Sequence, residues 1–364
     1  MYIGSGDAMN LLITGGAGYI GSHTCVLLLE AGHTITVIDN LCNSSATALD
    51  RVQELAGKPL RFVHGDIRNR DALNRAFEGG IDAVIHFAAL KAVGESCAQP
   101  LLYFDNNIGG TIALMQAMQD HNVNRLVFSS SATVYGQPDR VPVTEDAALR
   151  VTNPYGRSKL VMEDLIRDCC AARPQLSAVL LRYFNPVGAH PSGRIGEDPR
   201  GEPNNLMPYI AQVAVGKREK LRVFGNDYPT PDGTGIRDYL HVMDLAGAHL
   251  KAVDYAATHT GCEVFNLGTG RGYSVLEVVR AFEAASGRTV PLDSVARRAG
   301  DVAELTADPA KSNRELNWSA KRNLDDMCVD GWRWQKTQPG NSLPHEASEF
   351  SACVTSARLM GDKS

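Results

Sequence analysis

The chain is predicted to fold as an α/β protein, a doubly wound parallel sheet followed by a smaller α/β domain, and three observations predict it. A short apolar run at residues 10–14 (NLLIT) feeds a glycine turn and then a helical stretch, the order that a dinucleotide cradle requires. Strand-length apolar runs then recur at 34–38, 61–64, 83–87, 126–128 and 179–182, with helix-length segments between them. Such alternation implies parallel strands with ligands held at their carboxyl ends. After Pro186 the alternation fades and Pro and Gly become frequent. The expected organisation is therefore a nucleotide-binding domain over 9–186 and a second domain over 187–338. Residues 1–8 read as a leader ahead of Met9, and 339–364 as a disordered tail rich in Ser, Gly, Pro and charge.

Composition narrows the function. With 364 residues, 44% of them hydrophobic, a large core is available. A net charge of −5 gives no general attraction to nucleic acid or to an anionic membrane, so an anionic ligand must be held by locally placed arginines. Apolar runs fall far short of the roughly 20 residues that span a bilayer, and no signal peptide is expected. Eight cysteines without a C-x-x-C pair suit a reducing cytoplasm and mostly buried thiols.

The glycine turn holds Gly15, Gly18 and Gly21, with Tyr19 and Ile20 inside it and a helix expected from 22 to 32. The first spacing is one residue longer than in G-x-G-x-x-G, yet it still brings bare backbone and a helix N-terminus to a pyrophosphate. Asp39, with Asn40 beside it, closes the next strand about 20 residues on, where a carboxylate accepts hydrogen bonds from a ribose diol and repels a 2′-phosphate. That predicts NAD rather than NADP. Asp66 is expected to reach the adenine amine, with Ile67 next to it. Phe87, Ala88 and Ala89 end the following strand, their small residues admitting the cofactor, and Lys91 lies just beyond. Ser129 and Ser131 follow the next strand, and Tyr183 the one after. A helix is expected over 100–120; of its Asn106 and Asn107, the first is assigned to the cofactor and at least one to a solvated face.

At 153–159 (NPYGRSK), Asn153 suits a helix cap and Pro154 the first helical position, so Tyr155 and Lys159 share one helix face. A tyrosine that titrates near 10 needs about 3 units of depression, roughly 4 kcal/mol, to act as a base at neutral pH. One ammonium at about 4 Å supplies roughly that at an effective dielectric near 20. Both residues are assigned to the cofactor as well as to catalysis.

Together, residues 14–21 (TGGAGYIG), Asp39-Asn40, 86–89 (HFAA), 131–135 (SATVY) and the Tyr155/Lys159 pair resemble the extended short-chain dehydrogenase/reductase superfamily, with its Rossmann-type sheet, and within it the UDP-glucose 4-epimerases. The resemblance runs from about Asn10 to Trp334. It implies that tightly bound NAD takes a hydride from C4 of UDP-galactose or UDP-glucose while Tyr155 takes the 4-hydroxyl proton. Lys159 then holds Tyr155 as phenolate and Ser131 bonds the same hydroxyl. It also implies a homodimer formed through the helices at 100–120 and 154–172.

In the second half, Arg237 and Arg298 are permanently charged forks able to clamp a pyrophosphate. Each alone reads as a surface salt bridge; the resemblance turns both toward phosphate. Asn185, Asn204 and Asn205 offer neutral contacts to sugar hydroxyls, Phe224 a face for a uracil ring, and Leu206 and Asp301 complete the substrate set. His241 is read as structural, and no His, Cys and carboxylate group has metal-ligand spacing, so no metal is expected.

Two other functions compete. A nucleotide-sugar 4,6-dehydratase needs an added acid/base pair, which that family carries as Asp-Glu after the residue matching Ser131; here Ala132 and Thr133 stand there. A non-catalytic NAD-sensing regulator is expected to lack the Tyr/Lys pair. Leu305 occupies the position that borders the sugar pocket in the epimerases, tyrosine in those restricted to plain hexoses and Cys or Ser in those accepting N-acetylated sugars. Weak turnover of UDP-GlcNAc and UDP-GalNAc is therefore expected. Ala299 stands where the epimerases carry glutamate.

Overall fold

In the central sheet the strands are near-continuous apolar runs because helices cover both faces. The structure, a computed structural model, describes residues 7–199, 201–298 and 300–338; residues 1–6 of the expected leader, the expected tail 339–364 and Ala299 lie outside the described residues. In chain order the strands are β1 (Asn10–Thr14), β2 (Thr34–Asp39), β3 (Arg61–His64), β4 (Ala83–His86), β5 (Arg125–Ser131), β6 (Ser177–Tyr183), β7 (Asn185–Val187), β8 (Leu221–Phe224), β9 (Ile236–His241), β10 (Gly261–Leu267), β11 (Gly272–Ser274), β12 (Leu292–Val295) and β13 (Glu304–Leu305).

Seven of these form one sheet in the order β10-β6-β5-β4-β1-β2-β3, every neighbouring pair parallel. Leu11 pairs with Ile35 and Ile13 with Val37, so alternate residues of each strand reach opposite cores. Leu11, Ile13, Ile35, Val127 and Phe265 pack with helices Tyr19–Glu30 and Val242–Thr258. On the other face, Leu12, Ile38, Leu126 and Phe128 meet helices Arg70–Phe77, Gly110–Asp120 and Pro154–Ala172. The strand order reverses between β1 and β4, and a crevice opens there at the carboxyl ends.

Beyond residue 187 the chain returns to this sheet. Helix Val242–Thr258 and β10 complete it, with β10 pairing β6 from Gly261↔Ser177 to Leu267↔Tyr183. The fading alternation in the sequence therefore did not reveal the seventh strand. The smaller lobe has β9 flanked by β11, β13 and β7, a separate β8–β12 pair, and its own core around Met207, Ile210, Phe282 and Trp332.

The helical stretch from 100 to 120 is not one α-helix. Pro100–Tyr103 is α, Phe104–Gly109 a π-turn and Gly110–Asp120 α again. Gly110 presses against Ile67, where a Cβ would come within 2.5 Å of the isoleucine side chain. The widened turn carries Asn107 inward to complete burial: its Nδ2 donates to the Leu90 carbonyl and Ser158 Oγ, each at 3.0 Å, and its Oδ1 accepts from Leu90 N at 2.8 Å. Neither asparagine lies on a solvated face, since the half-buried Asn106 donates to Asn107 Oδ1. A π-turn re-aims side chains near a site, which periodicity does not show.

Candidate functional site

The crevice is a cavity of about 1140 Å³. Every site residue assigned from the sequence lines it except Leu305.

At the cofactor end the turn needs glycine at two positions. Gly15 has φ +72°, and a Cβ there would meet Ala88 N at 2.7 Å; a Cβ on Gly21 would meet the Gly15 carbonyl oxygen at 2.4 Å. The helix that follows starts at Tyr19, three residues before the expected start. Gly18 at its cap supplies no side-chain acceptor and its first turn has no acid, so the first-turn N–H groups and the helix dipole face the cavity. Asp39 ties this turn to β2: Oδ2 accepts from Ala17 N at 3.0 Å, and Oδ1 accepts from Leu41 N and Ser44 Oγ, both at 2.9 Å. A carboxylate offers about four acceptor positions, so room for one ribose hydroxyl remains. Bare cradle, uncapped helix start and buried carboxylate together fit a dinucleotide.

Asp66 differs from expectation. Arg68 holds its carboxyl at about 2, and its oxygens accept from Arg68 N and Nε at 2.9 Å, Arg68 Nη2 at 2.8 Å and Asn40 Nδ2 at 3.0 Å. Its acceptor capacity is thus taken up, and an adenine amine reaches it only if Arg68 turns away.

The Tyr155 helix starts as its residues demand. Asn153 Oδ1 accepts from Gly156 N at 2.8 Å, and Pro154 sits in the first turn. The electrostatics of the pair are not those expected. Burial pushes the Tyr155 hydroxyl above its usual value, a hydrogen bond from Ser131 acting the other way. Burial also brings Lys159 down to about 7, with Glu163 pulling it back up. Lys159 Nζ donates to the Ser129 carbonyl at 2.6 Å and lies 4.9 Å from the Phe128 ring centroid. The expected depression of Tyr155 by Lys159 is therefore outweighed in the protein alone, because removal from water disfavours the charged form of both groups. Tyr183 is buried, its hydroxyl bonded to His249 Nε2.

At the other end Asn185, Asn204, Leu206 and Asp301 line the wall. The guanidinium of Arg298 lies over the Phe224 ring at 4.2 Å, and Arg237 Nη1 donates to the Ile236 carbonyl at 2.7 Å. Among the described residues, neither arginine forms an ion pair with a carboxylate, so the surface-salt-bridge reading does not describe them. Leu305, on β13 beside β9, packs with the cluster of Ala132, Val134, Tyr135 and Phe184; Phe184 is the member of that group facing the cavity with full burial of its neighbours behind it. His241 is buried outside the cavity and caps its helix, Nδ1 accepting from Met243 N at 3.1 Å.

Sequence reasoning missed Glu197 and Trp334. Glu197 accepts from Lys91 Nζ at 3.0 Å and from Asn205 Nδ2 at 2.7 Å, joining the two walls of the cavity, and Trp334 Nε1 donates to its carbonyl at 3.1 Å. No motif marks either residue: Lys91 lies 106 positions from Glu197 and Trp334 lies 137 from it, with only Asn205 near in the chain. Of the seven described cysteines, Cys25, Cys170 and Cys328 are buried while Cys42 and Cys97 are exposed, so the thiols are less uniformly buried than expected. No described group of His, Cys, Asp and Glu is arranged to hold a metal.

Comparison with known proteins agrees with this geometry. Residues 12–330 match the family model described as GDP-mannose 4,6 dehydratase, a grouping of the extended superfamily. The chain is 61% identical to a UDP-glucose 4-epimerase of Bacillus subtilis over 90% of this chain and 97% of the relative. A UDP-glucose 4-epimerase from Bifidobacterium longum, solved in complex with NAD+ and UDP, superposes with a TM-score of 0.89 at 50% identity, covering 91% of this chain and 99% of that one. One from Stenotrophomonas maltophila, with bound NAD and formylated UDP-arabinopyranose, gives 0.88 at 53%, covering 90% and 98%. With 50–61% identity to these epimerases and a fold in common over nearly its whole described length, the chain belongs to the UDP-glucose 4-epimerase family.

Proposed function

We infer that the chain reversibly inverts C4 of UDP-galactose and UDP-glucose through a 4-keto sugar, with NAD held throughout. The observation that carries this is one continuous cavity holding the glycine cradle, Tyr155 with Lys159 and Ser131, and the arginines 237 and 298. Bound NAD supplies a reversible hydride acceptor and a positive charge near Tyr155. Gly15, Gly18, Tyr19, Ile20 and Gly21 would hold its pyrophosphate, Asp39 its ribose, and Asn40, Ile67, Phe87, Ala88, Ala89, Lys91, Asn106, Ser129 and Tyr183 the rest of its length, with Asp66 reaching it once Arg68 turns away. Lys159 both binds the cofactor and, once charge gathers there, favours the Tyr155 phenolate.

Tyr155 takes the proton of the 4-hydroxyl and later returns it. Arg237 and Arg298 keep the UDP clamped, Phe224 and Leu206 line the base, and Asn185, Asn204, Asn205 and Asp301 contact the remainder. With the nucleotide anchored, the keto sugar turns about its link to phosphate and presents its other face. Water elimination lacks its acid/base pair, because Ala132 and Thr133 follow Ser131. Incubation of purified protein with UDP-galactose and no added NAD is expected to yield UDP-glucose. Dependence on added NAD, or a 4-keto-6-deoxy product, overturns the reading.

Leu305 packs against the cluster that contains Phe184 and is not among the residues lining the cavity; its size, between tyrosine and serine, supports weak turnover of N-acetylated sugars. In Leu305→Ser, the cluster that Leu305 packs against loses bulk and kcat/KM for UDP-GlcNAc is expected to rise by about 10-fold, the scale of one pocket-contact change. An unchanged ratio of UDP-GlcNAc to UDP-glucose activity places the gate elsewhere.

A homodimer is supported by the outward apolar residues Leu101, Leu102, Ile112 and Val161 on the two helices expected to pair. We place the chain in the cytoplasm on its cysteine pattern, eight residues without a C-x-x-C pair; among the described residues no helix is long and apolar enough to cross a membrane. We divide the chain into a cofactor lobe of 9–186 joined by 242–267 and a substrate lobe made of the rest of 187–338, since β10 and the helix before it complete the central sheet.

A further inference from the structure

We propose that Glu197 is a positioning residue that ties Lys91 to Asn205, and that this tie closes residues 190–197 as a strap over the cavity and keeps NAD inside. It rests on the reading that NAD occupies the glycine cradle. Glu197 Oε1 accepts from Lys91 Nζ at 3.0 Å and from Asn205 Nδ2 at 2.7 Å. Chemistry fixes both directions, since an ionised carboxylate only accepts and an ammonium only donates. Lys91 follows β4 in the cofactor lobe and Asn205 stands on the wall of the substrate lobe, so one carboxylate oxygen joins a group assigned to the cofactor to one assigned to the sugar. Both keep the capacity to bind a ligand: an ammonium has three donors, and an asparagine amide has a carbonyl oxygen beside its NH2.

Two observations set this contact apart from a surface salt bridge. The Glu197 side chain is only 9% exposed against 50% for Lys91, so the carboxylate is held in place and the lysine reaches in to it. Asn205 occupies the cap position of helix Leu206–Ala214, where an asparagine ordinarily accepts from the first turn. It makes no cap bond there, and its amide is turned to Glu197 instead.

The backbone around Glu197 is fastened from both lobes. Trp334 Nε1 donates to the Glu197 carbonyl at 3.1 Å, Thr337 Oγ1 to that of Gly193 at 2.9 Å and Arg333 Nη1 to that of Pro191 at 2.6 Å. A Cβ on Gly196 would run into the Trp334 ring, so glycine there lets the strap lie against the indole. On the cofactor side, helix Ala46–Ala56 supplies Arg51, whose Nη1 donates to the Arg194 carbonyl at 3.2 Å, and Glu54, which pairs with the Arg194 guanidinium. Ile195, Gly196 and Glu197 then line the cavity, and the bond to Lys91 is where the strap meets the loop after β4. Parting of that bond opens the way out for the cofactor.

The test measures release of NAD from the holoenzyme, by exchange against isotopically labelled NAD, in Glu197→Asp and Glu197→Gln. Aspartate keeps the charge but withdraws the carboxylate by one methylene, so it no longer reaches both partners. Glutamine keeps the reach and an acceptor oxygen without the charge. Release from Glu197→Asp is expected to be about 10-fold faster than from the wild type, and release from Glu197→Gln within about 3-fold of it, the scale of one hydrogen bond to a charged group near the surface. A wild-type rate in Glu197→Asp overturns the proposal, as does faster release from Glu197→Gln than from Glu197→Asp, which makes charge and not reach the cause. If Glu197→Asp does not fold, Trp334→Phe decides: it removes the donor to the Glu197 carbonyl and leaves a ring against Gly196. Its release is expected to be about 3-fold faster, the scale of one neutral hydrogen bond, and a wild-type rate overturns the proposal. Wild-type protein that carries no NAD would instead remove the reading beneath it.

Discussion

Tyr155→Phe lowers kcat on UDP-galactose by about 100- to 10,000-fold, the range that one positioned acid/base group contributes. The ring stays, so packing and cofactor retention change little. Removing the hydroxyl takes away the group that receives and returns the proton, while the cradle at Gly15 and the arginines at the far end are untouched. NAD content after purification and UDP affinity are therefore expected to remain near wild type. Turnover measured with pure protein, beside NAD released on denaturation, checks both halves. A variant that keeps its activity refutes the assignment, and one that loses NAD shows a structural rather than a chemical role.

The second large effect is on stability. Arg182→Met is expected to destabilise the protein by about 3–5 kcal/mol, because it leaves a buried carboxylate short of its partner. Glu163 is fully buried. Its Oε1 accepts from Ser130 Oγ at 2.5 Å and Arg182 Nε at 3.0 Å, and its Oε2 from Arg182 Nη2 and Arg167 Nη2, each at 2.7 Å. Burial pushes the Glu163 carboxyl up, but the hydrogen bonds and charge of Arg182 hold it below its usual value. The stability this contributes is present above the unfolded value of about 4.3 and is lost as pH falls through the lower folded value. Thermal and urea unfolding of the variant measure the loss. Glu163→Leu combined with Arg182→Met is expected to recover most of it, since both members of the buried pair are then uncharged. A loss under about 1 kcal/mol in the single variant refutes the account.

This ion pair also bears on the site, since Glu163 lies one turn beyond Lys159 on the helix that carries Tyr155. Helix periodicity places 155, 159 and 163 on one face, so their proximity was readable from spacing alone. The charge balance was not. An ammonium in water near a phenol depresses its pKa, whereas burial here raises Tyr155 and lowers Lys159.

Local chemistry thus settled the parts whose cause lies within a few residues. Gly15 and Gly21 are required by their own backbone path and close approach, Asn153 and Pro154 by a helix start, and Asp39 by its place at a strand end. The parallel sheet followed from alternating apolar runs, because strands buried on both faces must be apolar throughout. Tertiary structure decided the rest, through partners distant in the chain. Gly261–Leu267 joined the central sheet from beyond the expected lobe boundary, Glu197 met Lys91 across 106 positions, and Asn40 met Asp66 across 26. Leu305 packed against the cluster around Tyr135 and Phe184, outside the cavity lining, and the π-turn carried Asn107 into the core. Such outcomes depend on which side chains compete for the same buried volume and the same lone pairs, and that competition exists only once the chain has folded.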